Sequence, residues 1–64
     1  MTQKELLYVE DAISHEQSII SILNETINLL EDEKLVSFMN KELKKHENME
    51  KKLISLLEDC INEW

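Results

Sequence analysis

Glycine and proline are both missing from this chain. Their absence removes the two residues that most strongly disfavour helix interiors. Hydrophobic residues make up 42% of the sequence and charged residues 33%, the balance of an amphipathic, helix-rich protein. The expected class is therefore all-α. Cysteine occurs once, at Cys60, so no intrachain disulfide can form, and the Cys-Cys or Cys-His spacing of a structural zinc site is missing as well. In 64 residues a single hydrophobic core barely offsets the conformational entropy of folding. With no staple at hand, self-association is the expected remedy.

Arginine is also absent. The 7 basic residues are all Lys and face 14 Asp and Glu, a net charge of -7 that argues against a phosphate-tracking surface for DNA or RNA. No apolar stretch of signal-peptide length follows Met1-Thr2-Gln3-Lys4-Glu5, and no run approaches the roughly 20 apolar residues of a membrane span. A soluble, cytoplasmic protein without nucleic-acid or membrane partners is expected, and the single thiol fits a reducing compartment. There is no Gly-rich phosphate loop, and Cys60 lies far along the chain from His15, so no nucleophile arrangement is recognisable. The expectation is a protein that is not an enzyme and has no catalytic residues.

What is present is helical rhythm. Thr2 and Glu5 have capping-box spacing, and helix formers then continue to Leu30, which predicts a first helix over about residues 3 to 31. Glu31-Asp32-Glu33 interrupts the apolar rhythm. Asp32 can cap a second helix, predicted over about 33 to 63, with Glu33 in the first turn where the helix dipole favours negative charge. Residues 1 to 64 thus read as one helical-hairpin domain, a rod with helices about 45 Å long at ~1.5 Å per residue.

Leu6, Val9, Ile13, Glu16, Ile20, Leu23, Ile27 and Leu30 step by threes and fours, the seam spacing of packed helices. The second seam is Val36, Met39, Leu43, His46, Glu50, Leu53, Leu57, Cys60 and Trp64, with Trp64 placed to cover the open end. Flanking rows widen the stripe of helix 1, with Ala12 and Ile19 expected on one side and Tyr8, His15, Ile22 and Leu29 on the other. Faces of this width suit helices with two neighbours each, and two hairpins docked face to face supply them. If Leu30 faces Val36, Ile20 meets His46 and Glu16 meets Glu50.

That register gathers the only polar seam residues, Glu16, His46 and Glu50, into one layer, with His15 and Met49 at its edge. A two-fold dimer doubles the set. Carboxylates and imidazoles projecting into a four-helix core are the ligands of di-iron and di-manganese proteins, in which hard oxygens neutralise and bridge the cations while His fixes geometry. The same three residues also suit a hydrogen-bonded network that sets register. The leading reading is the network without a cofactor. The alternative is a site for iron or manganese at Glu16, His46 and Glu50. Cys60 reads as a small buried hydrophobe, and the lysines of 41 to 52, interleaved with Glu42, Glu47 and Glu50, read as solvated charge.

Lys4-Glu5-Leu6-Leu7-Tyr8-Val9-Glu10-Asp11-Ala12, then Ser14-His15-Glu16, then Lys45-His46 on the second helix, resemble the short spore-coat-F-like proteins of spore-forming Firmicutes. The likeness covers Lys4 to Leu57 and implies half of a ferritin-like four-helix bundle. In that family the His-Glu pair of helix 1 and a His-x-x-His or Glu-x-x-His segment of helix 2 sit where ferritin-like relatives hold metal. Here Glu16 and His46 match, and Met49 stands in place of the last His. The resemblance implies a small coat-associated or sporulation-linked structural protein of cytoplasmic origin, with other coat or sporulation proteins as partners. Three functions follow as expectations: a homodimeric structural or interaction module of this kind, a ferritin-like metal-binding mini-protein, and a small acidic regulator whose hairpin joins a partner's helix bundle.

Overall fold

A computed structural model describes residues 1 to 62 of the chain; Glu63 and Trp64, and with them the proposed cover of the open end, lie outside the described residues. Two helices, α1 (Gln3–Leu29) and α2 (Glu33–Asn62), form an antiparallel hairpin. Its extents of 48 × 14 × 11 Å are those of a rod.

Local chemistry sets the helix ends. The Thr2 hydroxyl accepts from the Glu5 N–H at 3.1 Å, and the Glu5 carboxylate accepts from the Thr2 N–H at 2.8 Å, so both members of the capping box are satisfied. At the far end Leu30 leaves the helix in an extended conformation (φ -86°, ψ 140°), and its N–H still donates to the Ile27 carbonyl at 3.3 Å. The Asp32 carboxylate then accepts from the N–H groups of Lys34 and Leu35 at 2.9 and 3.0 Å, which starts α2. No described residue has a positive φ. A reversal built from extended Leu30 and capping Asp32 explains how a chain without glycine turns so sharply.

Every described seam position is half-buried or buried, from Leu6 to Leu30 in α1 and from Val36 to Cys60 in α2. Among the described residues only Ile13 and Cys60 are nearly closed off, at 9% and 5% exposure. A single pair of helices covers each seam from one side and leaves its flanks open, so the hairpin has a seam rather than an enclosed core.

Two details of packing differ from expectation. The seam joins Glu16 to His46, one helical turn from the predicted pairing of Glu16 with Glu50. The three-residue connection Leu30 to Asp32 is centred on Glu31, so facing positions sum to about 62 and not 66, and Glu50 falls level with Ala12. The flanks of α1 are also on one side, not two. Ala12 and Ile19, like Tyr8, His15, Ile22 and Leu29, each immediately precede a seam residue, and a step of about 100° carries all six to the same side of the seam. Ala12 and Ile19 are the half-buried inner part of that side and the other four its exposed margin.

Candidate functional site

The one-sidedness extends to both helices. A two-fold axis perpendicular to the hairpin plane exchanges two antiparallel helices, so residues that precede the seam in α2 share a face of the hairpin with those that precede it in α1. On α2 these include Leu35, Phe38, Met49 and Leu56. Of the ten exposed large hydrophobics among the described residues, seven lie on this face: Tyr8, Ile22, Leu29, Leu35, Phe38, Met49 and Leu56. Leu29 is 83% exposed and Tyr8 63%. The other three, Met1, Leu7 and Ile61, are all at the open end.

The residues that follow the seam make the opposite face. Apart from Leu7, Ile54 and Ile61 they are polar, among them Glu10, Ser14, Gln17, Asn24, Asn40, Lys44, Glu47 and Lys51. The hairpin is thus a two-faced plate. Its apolar face is about 48 Å long and two helices, or about 20 Å, wide. Polar groups interrupt that face at Glu5, His15 and Thr26 on α1 and at Glu42, Lys45, Lys52 and Asp59 on α2, with Lys45 paired to Glu42 at 3.2 Å on the same helix.

Between the faces, at the middle of the seam, His46 Nδ1 lies 2.6 Å from Glu16 Oε2. The acceptor is a carboxylate oxygen, so the imidazole nitrogen donates, and a neutral ring then keeps its lone pair on Nε2. The side chains are 16% exposed at Glu16 and 31% at His46, which places this short bond largely out of water. His15 is elsewhere: it stands on the surface with Asp11 at 3.8 Å. Glu50 is half-buried on the seam and makes no hydrogen bond or ion pair among the described residues. Within one hairpin no three described His, Cys, Asp or Glu side chains come together in a way that could hold a metal ion.

No family model, curated protein or solved structure matches the chain. The plate and its central pair are the features of the molecule that bear on function. No described helix is long and apolar enough to cross a membrane, yet the hairpin carries an exposed apolar face. Such a face marks an interaction surface.

The expected seam contained every residue of the central pair, but the one-sided face was missed as a functional feature. Its signal is in the sequence as a bias: nine of the sixteen described residues directly before seam positions are apolar, against three of the sixteen directly after them.

Proposed function

We propose that the chain is a small structural or interaction protein, without enzymatic activity, that acts as a homodimeric four-helix bundle. The observation that carries this reading is the concentration of exposed apolar side chains on one face of a hairpin in which only two of the described residues are nearly buried. A face about 48 Å by 20 Å offers roughly 900 Å², above the roughly 800 Å² per partner of a standard stable interface. A second copy supplies an equal and self-complementary plate, as two-fold assembly requires. Sedimentation at micromolar concentration tests it: a dimer is expected, and a folded monomer overturns the reading.

The likeness of residues 4 to 12, 14 to 16 and 45 to 46 to spore-coat-F-like proteins supports a coat-associated role, made in the cytoplasm and carried to the spore, with coat or sporulation proteins as further partners. A fluorescent fusion expressed in a sporulating host checks this. Signal on the developing spore is expected; signal confined to vegetative cytoplasm contradicts it.

A second reading rests on the Glu16–His46 contact. In a dimer, Glu16, His46 and Glu50 of two chains provide the oxygen and nitrogen donors that iron or manganese takes. One hairpin falls short of such a set, because Glu16 occupies Nδ1 of His46 and no third ligand joins them. The metal reading therefore needs the second copy. If it holds, iron or manganese raises the melting temperature of the native protein and not of His46→Ala. Equal shifts, or none, remove it.

A further inference from the structure

We propose that the binding energy of the dimer is concentrated in the part of the apolar face next to the turn, on Ile22, Leu29, Leu35 and Phe38, and that the part toward the open end is a solvated rim. This inference rests on the dimer proposed above and locates what holds it together.

The face is not uniform along its length. With facing positions summing to about 62, Asp59, Lys52, Lys45 and Glu42 of α2 fall level with positions 3, 10, 17 and 20 of α1. Glu5 and His15 of α1 lie in the same stretch. Every ionisable residue of the face is therefore at level 20 or closer to the open end. From level 22 to the turn the face consists of Ile22, Thr26 and Leu29 on α1, with Phe38 and Leu35 of α2 at levels 24 and 27. Thr26 is the one polar residue among these five, and its hydroxyl donates to the Ile22 carbonyl at 2.8 Å, so covering the stretch strands no side-chain donor. Glu42 and Lys45, paired at 3.2 Å, mark where it ends, and Glu25 and Lys34 stand exposed at its outer edges.

This uncharged stretch measures roughly 15 Å along the rod and 20 Å across, or about 300 Å² per copy. Against the same stretch of a second copy, its burial removes apolar surface from water without desolvating a charge on the face. An axis along the rod and an axis across it at this level both place like on like, so no orientation of the rods is implied. Toward the open end Tyr8, Met49 and Leu56 are comparably exposed, but charged neighbours on the same face lie one turn away: Glu5 beside Tyr8, Lys45 and Lys52 beside Met49, Lys52 and Asp59 beside Leu56. Near the turn only Phe38 has such a neighbour, Glu42, and Lys45 already pairs with it. Covering the open-end hydrophobes desolvates charges or leaves the hydrophobes half covered, and either offsets the gain. A small apolar centre within a polar surround is the anatomy of interfaces in which a few residues carry most of the energy.

Leu35 and Leu56 form a matched pair for testing this. Each directly precedes a seam residue of α2, and they are 51% and 53% exposed in a single hairpin, so truncation to Ala removes the same atoms from similar intrachain surroundings. Ala also keeps the backbone N–H of residue 35 that donates to Asp32. Sedimentation equilibrium over a dilution series of the full chain gives Kd for the native protein and both variants, with helix content checked by circular dichroism. Leu35→Ala is expected to raise Kd about tenfold or more, and Leu56→Ala less than about threefold. If Leu35→Ala loses helix, Leu29→Ala takes its place with Tyr8→Ala as counterpart, since Leu29 is the most exposed of the four and its loss disturbs one hairpin least. The same contrast is expected there. Equal changes in Kd, or a larger one at the open end, overturn the placement while leaving the dimer intact. A native chain that stays monomeric throughout the series leaves the face to a different partner and overturns the dimer together with the placement.

Discussion

Replacing His46 by Ala is the most informative single perturbation of the seam. It leaves the Glu16 carboxylate, 16% exposed, without the partner that now lies 2.6 Å away. A hydrogen bond to a charged group contributes about 1.5–3 kcal/mol, and breaking a fully buried ion pair costs about 3–5 kcal/mol. Exposed pairs contribute only about 0–1 kcal/mol. His46 is 31% exposed, so water can partly replace it, and the cost of His46→Ala should be about 1–3 kcal/mol per chain. Glu16→Leu should behave differently. It removes the carboxylate that needs a partner and adds apolar volume to an otherwise apolar seam, so stability should hold or rise. Urea unfolding of the native protein, both single variants and the double variant gives the coupling between the two side chains as a double-mutant cycle. The expected coupling is about 1–2 kcal/mol. A coupling below ~0.3 kcal/mol would mean that the short contact does not organise the seam, and the reasoning fails.

Other consequences follow from the helix ends and the seam. Asp32→Ala removes the acceptor for the Lys34 and Leu35 N–H groups and should cost about 1 kcal/mol, read as a lower thermal midpoint with faster amide exchange at those two residues. Leu23→Ala should cost about 2–3 kcal/mol per chain in chemical denaturation, the lower part of the range for such truncations, because one hairpin leaves Leu23 only half-buried. The hydrogen bonds from the Thr2 backbone and hydroxyl hold Glu5 below the usual carboxylate range. A depressed folded-state value means that this contribution is present above the ordinary carboxylate pKa and is lost as pH falls through the lowered one. The stability difference between native protein and Glu5→Gln should therefore vanish in acid; a difference that persists below that range contradicts the assignment.

The hairpin was legible because its determinants are local and periodic. Thr2 with Glu5 and Asp32 with Glu33 mark helix starts through side chains that reach only two or three residues along the chain, and the seam follows from 3.6-residue periodicity. Glu16 and His46 were legible as polar members of that seam. Their pairing was not, because register depends on how tightly the chain turns between Leu30 and Asp32, and a sequence without glycine carries no conventional turn signature there. A shift of four residues was enough to bring His46 to Glu16 and to set Glu50 level with Ala12. The plate's one-sidedness was obscured for a different reason. Ala12 and Ile19 differ in burial from Tyr8, Ile22 and Leu29, and two depths on one side resemble two sides when only spacing is considered.

The metal alternative also turns on register. Glu16, His46 and Glu50 share a seam, but a seam brings ligands together only where their levels coincide, and one hairpin unites two of the three. Any fuller set has to be completed across an interface between copies, which ties chemistry at the centre to assembly at the face.

Sedimentation equilibrium of the native protein beside Phe38→Glu and Ser14→Glu distinguishes a dimer docked through the apolar face from a lone hairpin. Phe38 lies on the apolar face and Ser14 on the polar one, and both are exposed in a single hairpin. Twice the 7.6 kDa chain mass is expected for the native protein and for Ser14→Glu, and a shift toward monomer for Phe38→Glu alone. A native protein that sediments as a folded monomer, or a Phe38→Glu variant as dimeric as Ser14→Glu, would contradict such a dimer.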